Sequence, residues 1–280
     1  MSIPLLLLIL ILGHVLGDFY CQWNYMATEK KKSYKWLFAH GFVYSVCMAA
    51  SLLVLMCFGG IAYSHNLLWI FIWVSLLHFI IDLLKNDAIW DRFFAVGKVG
   101  FIKRIQKFNI TKWLVKWHFS IDQAAHFIIL FLAWYFWGRE LTVGLCIYDH
   151  AHHLTIVLGL LVLLRPVGLL LGSGAIWTFN KQEENGAQTQ KENDTRAEDA
   201  KQKKDSSRLI GYLERIIVFF LLLNGEYSTI ALVIAAKSIA RFPEIKDEKG
   251  HLRANDYIIG TFLSLTAVIA VTVVLGLISV

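Results

Sequence analysis

Long apolar runs, each bounded by charge, recur along this chain and constrain it more than any other feature. Eight can be drawn, at residues 3–20, 36–58, 67–85, 118–137, 152–172, 209–224, 227–241 and 257–279. An α-helix needs about 17–25 apolar residues to cross the hydrocarbon of a bilayer. Inside lipid only helices and closed barrels satisfy their own backbone. A hydrophobic content of 57% and a mean hydropathy of +0.55 exceed what soluble domains carry. The expected fold class is therefore all-α, a polytopic transmembrane helix bundle of about eight spans. The runs 209–224 and 227–241 are short, and "LLNGEYS" between them reads as a tight turn. The first run has no Lys or Arg before it and no small-residue cleavage pattern, so it reads as a retained span.

Charge gives these spans an orientation. The first connection holds Lys30, Lys31, Lys32 and Lys35, and the third, residues 86–117, holds Arg92, Lys98, Lys103, Arg104, Lys107, Lys112 and Lys116. The second connection has no Lys or Arg, and the fourth has only Arg139. Basic and poor connections alternate to the end of the chain, which places the basic ones in the cytoplasm and both termini outside. The net charge of +6 is explained by this bias, and no nucleic-acid partner is expected. Cys21, Cys47, Cys57 and Cys146 are scattered and form neither a disulfide framework nor a thiolate metal site.

Residues 181–207, "KQEENGAQTQKENDTRAEDAKQKKDSS", lack any apolar anchor and cannot bury a core. They divide the chain into a five-span domain at 1–175, a flexible cytoplasmic linker at 176–208 and a three-span module at 209–280. The segment 86–117 interleaves Trp, Phe and Lys and is expected on the cytoplasmic membrane surface, with lipids as its partners.

Polar residues inside the spans carry the chemistry. "HVLGDFYCQ" gives His14, Asp18 and Gln22, "HFIIDLLK" gives His78, Asp82 and Lys85, and "DQAAH" gives Asp122, Gln123 and His126. Residues four apart share a helix face. In the alternating topology these side chains and His40 fall at one depth, near the cytoplasmic side. Ionisable groups there cost about 2–3 kcal/mol each unless paired, and are functional candidates by default. Imidazole and carboxylate donors suit zinc, manganese or iron, with zinc or manganese preferred. We assign His14, Asp18, His78, Asp82, Asp122 and His126 as metal ligands. Asp82, Asp122 and Lys85 are the catalytic candidates, and Gln22 and Gln123 could orient a substrate. The indicated activity is metal-dependent hydrolysis of a lipid-linked or phosphorylated substrate. An ion or proton transporter and a scaffold or sensor are the alternatives, and a homo-oligomer is compatible with all three.

Two further groups stand apart. Asp149, His150, His152 and His153 in "YDHAHH" lie on the outer side and read as interfacial. Arg165, Glu214, Arg215, Lys237 and Arg241 form a second cytoplasmic set. Glu214 with Lys237 or Arg241 reads as an interhelical ion pair, and a phosphate- or headgroup-binding cluster is the sharper alternative.

The three motifs in combination make residues 5–135 resemble the bacterial domain-of-unknown-function family 3307. The resemblance implies a bacterial inner-membrane, multi-pass protein and transfers no activity. The last three spans look like a module outside the family's core.

Overall fold

A computed structural model describes residues 5–59, 64–85, 109–139, 141, 145–172, 209–245 and 250–279. No strand occurs among the described residues. The chain divides into two compact units, Met1–Leu158 with Leu277–Val280, and Gly159–Gly276.

In the first unit, α1 (Leu5–Val15) runs into a π-helical turn (Leu16–Tyr20). A short α2 (Asn24–Glu29), α3 (Tyr34–Gly59) and α4 (His65–Leu84) follow. Helix α5 (Asn109–Ala133) ends in a second π-helical turn, Trp134–Gly138, and α6 (Leu145–Leu164) comes next. Helix α1 packs on α3 and α5, α3 on α4, and α4 on α5, which closes a four-helix ring. Leu5 to Leu10 are all buried, as expected of a helix that is apolar on every side.

The outer faces invert the pattern of a soluble bundle. On α3, Leu37, His40, Tyr44 and Met48 point inward at helical spacing, while Phe38 (62% exposed) and Phe42 (71% exposed) point out. On α4 the buried row is Leu67, Ile70, Val74, His78 and Asp82, with Trp69 and Leu76 outside. Apolar outside with polar within is stable where the surroundings are lipid.

Among the described residues, five helices are long and apolar enough to cross a membrane: Tyr34–Cys57, His65–Leu84, Phe119–Gly138, His152–Leu171 and Tyr257–Gly276. The protein is a multi-pass membrane protein. Three other runs are helical as well. Leu5–Tyr20 and Tyr227–Ala240 are shorter apolar helices, and residues 209–223 are helical.

The second unit contains the end of α6, α7 (Pro166–Gly172), α8 (209–223), α9 (Tyr227–Ile245) and α10 (Gly250–Ser279) as far as Gly276. The expected turn after α8 is present. Gly225 takes a positive φ of 72°, Glu226 N–H bonds Leu221 O at 2.9 Å and Gly225 N–H bonds Leu222 O at 3.1 Å. This is a Schellman ending, which needs a residue free to enter the left-handed region.

Several boundaries differ from expectation: α6 and α10 each begin seven residues earlier than the runs 152–172 and 257–279, and α5 differs most. Helix α5 begins at Asn109, inside the segment assigned to the third connection. No Gly or Pro interrupts residues 109–118, so extending the helix costs little once it is nucleated. The remainder of the expected surface segment, residues 86–108, lies outside the described residues. So do the expected domain boundary at 175 and the linker 176–208.

Candidate functional site

The site lies where the π turn after α1, the start of α3, the end of α4 and the middle of α5 meet. In the π turn, Cys21 N–H reaches back five residues to Leu16 O at 2.8 Å. Asp18, on this turn, and His14, on α1, meet different partners, described below. Close approach of the π turn to α3 requires glycine. A Cβ on Gly17 would stand 2.8 Å from Tyr44 Cδ2 and 3.3 Å from Tyr44 Cα.

Four donor atoms converge at the centre. His40 Nε2 is 3.2 Å from Asp18 Oδ1, 3.1 Å from Asp82 Oδ2 and 3.2 Å from His78 Nε2. His78 Nε2 is 3.6 Å from Asp82 Oδ2 and 3.9 Å from Asp18 Oδ1. All four atoms lie within 4.8 Å of one another. Ligand bonds of about 2.0–2.1 Å in a tetrahedron put neighbouring donors about 3.3 Å apart. The observed separations scatter around that value. Asp18 Oδ1 is buried and makes no hydrogen bond among the described residues. Two imidazole nitrogens and two carboxylate oxygens are a donor set that zinc or manganese accepts. The residues present therefore fit a divalent ion.

Tyr44 holds His78 in place by stacking, with ring centroids 3.5 Å apart and planes 6° from parallel. Lys30, from the connection after α2, places its ammonium 2.8 Å from Asp82 Oδ2 and 3.7 Å from Asp18 Oδ1. It also donates to Gln22 Oε1 at 3.0 Å. A carboxylate oxygen has two lone pairs, so this contact leaves one of them for the centre.

Asp82 faces a second group through its other oxygen. Lys85 Nζ bridges Asp82 Oδ1 at 2.6 Å and Asp122 Oδ1 at 2.5 Å. His126 Nδ1 is 2.8 Å from the Asp122 carbonyl oxygen and 3.3 Å from Asp122 Oδ1. The carbonyl can only accept, so Nδ1 carries the proton and Nε2 keeps its lone pair. That Nε2 is buried and has no hydrogen-bond partner among the described residues.

His14 is buried in the same layer, but both of its nitrogens are engaged. Its Nε2 donates to Gln123 Oε1 at 3.3 Å, and its Nδ1 accepts from the Tyr44 hydroxyl at 3.3 Å. The Gln123 orientation follows from its amide nitrogen, which donates to Asp18 Oδ2 at 3.3 Å and Asp122 Oδ2 at 3.4 Å. Gln123 thus links His14, Asp18 and Asp122.

Of the six ligands assigned from sequence, Asp18, His78 and Asp82 meet at the first centre. Asp122 and His126 join Asp82 in the second group, and His14 stands beside both. His40 enters the first centre although no acid lies four residues from it on its helix. Lys30 is also drawn in, and nothing in its run of lysines distinguishes it. Elsewhere, His152 and His153 are exposed, while the side chains of Asp149 and His150 lie outside the described residues. In the second unit Lys237 pairs with Glu214 and Arg215 is buried. Arg165 is exposed, and the Arg241 side chain lies outside the described residues.

A ring of helices with a lipid-compatible exterior and a buried His/Asp cluster at one end defines a polytopic membrane protein with a polar centre. Residues 6–155 match the family described as "Protein of unknown function (DUF3307)", more than half of the chain, and the protein belongs to that family. The match takes in every residue of the two groups and ends within α6. No similar chain was found among curated proteins or among solved structures.

Proposed function

We propose that Asp18, His40, His78 and Asp82 hold one divalent ion, zinc or manganese. In this reading the protein is a hydrolase of a phosphorylated or lipid-linked substrate. The observation that carries it is the convergence of four donor atoms from three chain segments, the π turn, α3 and α4, at nearly tetrahedral spacing. Hydrogen bonding alone does not account for it, because Asp18 Oδ1 is left without a donor in good geometry.

When bound, such an ion polarises a phosphoryl or carbonyl oxygen and brings a bound water toward ionisation near neutral pH. The protein's residues supply the rest. His126 Nε2, with its lone pair uncommitted, accepts a proton as general base. Asp122 Oδ1, 3.3 Å from Nδ1, steadies the imidazolium that results. Lys85 is about one-fifth exposed and can meet an anionic group of the substrate while still held by Asp82 and Asp122. His14 and Gln123 are positioning residues that fix Asp18.

The topology that goes with this reading has eight spans, both termini outside, and the centre near the cytoplasmic face of a bacterial inner membrane. A five-span domain at 1–175, a cytoplasmic linker at 176–208 and a three-span module at 209–280 complete it.

Elemental analysis of the detergent-purified full chain tests the metal. About one zinc or manganese per chain is expected, falling below about a tenth in His78→Ala with helical circular dichroism unchanged. A wild-type protein that stays metal-free after incubation with either ion overturns the reading. For the activity, phosphate release from short-chain phosphatidic acid and from a lipid diphosphate is expected only from the metal-loaded wild type. Equal release by His78→Ala would refute it.

A further inference from the structure

The second unit holds a small, largely apolar pocket with a few charged and hydroxyl groups in its wall, which the proposed chemistry does not use. Helix α8 brings Glu214 and Arg215, α9 brings Lys237, and α10 brings Thr261 and Ser264. Tyr257, Thr261 and Ser264 are spaced four and three apart, so they share one face of α10.

The charges in this pocket do not balance. The Glu214 carboxylate is taken by the Lys237 ammonium. Arg215 is 6% exposed and has no carboxylate within ion-pair distance among the described residues. Its Nε is buried with no hydrogen-bond partner. The guanidinium lies against the Tyr212 ring, 5.1 Å from its centroid. Gly168 lies beside both groups: a Cβ there would stand 3.1 Å from Tyr212 Cε1 and 3.5 Å from Arg215 Nη2. The Tyr257 hydroxyl is likewise buried without a partner, and Lys237 Nζ lies 5.7 Å over that ring.

A guanidinium keeps its charge at any cellular pH. Burying it without a counter-charge is expensive unless an anion completes the site. We infer that this pocket binds a phosphate group, with Arg215 as the principal contact and Lys237, Thr261 and Ser264 completing the cradle. Donors from three helices suit a tetrahedral anion with several acceptor oxygens better than a planar carboxylate, and guanidinium pairs phosphate in bidentate fashion. A lipid headgroup and free phosphate present the same chemistry. The pocket shares no residue with the metal centre, and the inference does not rest on that reading.

The test is binding to the full chain in detergent, with EDTA present so that the first unit's chemistry is idle. The probes are inorganic phosphate and short-chain phosphatidic acid, each followed by titration calorimetry. The wild type is expected to bind phosphatidic acid, and Arg215→Gln to bind it at least about tenfold more weakly. Thr261→Val, which keeps the side-chain shape, should lose about threefold and serves if Arg215→Gln does not fold. The exposed-site control Lys32→Gln should be unchanged. Binding of phosphatidic acid alone assigns the site to a headgroup, and binding of both probes assigns it to phosphate as such. If the wild type binds neither probe, or if both pocket variants bind as the wild type does, the inference is overturned.

Discussion

His40 and His14 are both fully buried histidines of one layer, yet the geometry gives them unequal weight. His40 Nε2 touches all three other donors of the first centre at 3.1–3.2 Å, whereas His14 reaches Asp18 only through the Gln123 amide. A four-ligand zinc site gains about 10–16 kcal/mol of apparent binding free energy, or about 3–4 per ligand. His40→Ala should then raise the metal Kd by about 10²–10³-fold. Partners outside the ligand set typically contribute 10–100-fold. His14→Ala belongs at the low end, about tenfold or about 1.4 kcal/mol, because an amide stands between it and the nearest ligand. Competition against a chromophoric chelator measures both variants on one scale, with circular dichroism to check that each is folded. If His14→Ala costs more than His40→Ala, the assignment of His40 as a ligand is wrong.

Three other expectations follow from single contacts. Lys85→Met uncovers Asp82 Oδ1 and Asp122 Oδ1 beside His126, a group whose donors lie within 4.8 Å. Elemental analysis should then find a second ion per chain, and a single ion would count against a latent second position. Tyr44→Phe keeps the stack on His78 but leaves His14 Nδ1 without its donor. It should destabilise the fold by about 1–3 kcal/mol in thermal unfolding while retaining one ion per chain. Gly17→Ala presses a methyl onto Tyr44 backbone and ring. Separating the π turn from α3 should cost about 1–3 kcal/mol and lower metal retention together with the apparent Tm; unaltered values would mean that the turn and the helix do not meet as described.

Much of this site could be read from spacing. His78 and Asp82, and Asp122 and His126, are pairs four apart on unbroken helices, and each reaches the shared layer from one face. Asp18 lies on the π turn Leu16–Tyr20 and joins the four-donor centre, whereas His14 on α1 bonds Gln123 and Tyr44, a division of roles that the spacing of four does not show. Hydrophobic pattern carries no signal for such a turn, and "LGDFY" reads equally well as α-helix. His40 had no acid four residues away, so a rule built on pairs passed over it. Lys30 sat among four lysines of one connection, where counting charge predicts a side of the membrane but not a partner. The long spans were legible from apolar length alone. The start of α5 was not, because residues 109–118 mix Lys with Trp and look like a connection.

Asp82 has one carboxylate and two neighbourhoods. Oδ2 looks to His40 and Lys30, and Oδ1 looks to Lys85. Electron density drawn to one oxygen is withdrawn from the other. An anionic molecule that pulls the Lys85 ammonium away would leave Asp82 a stronger donor and tighten its hold on a cation opposite. By reciprocity, a loaded centre would release Lys85 more readily toward that molecule. Arrival on one side and retention on the other thus become a single equilibrium, run through three atoms.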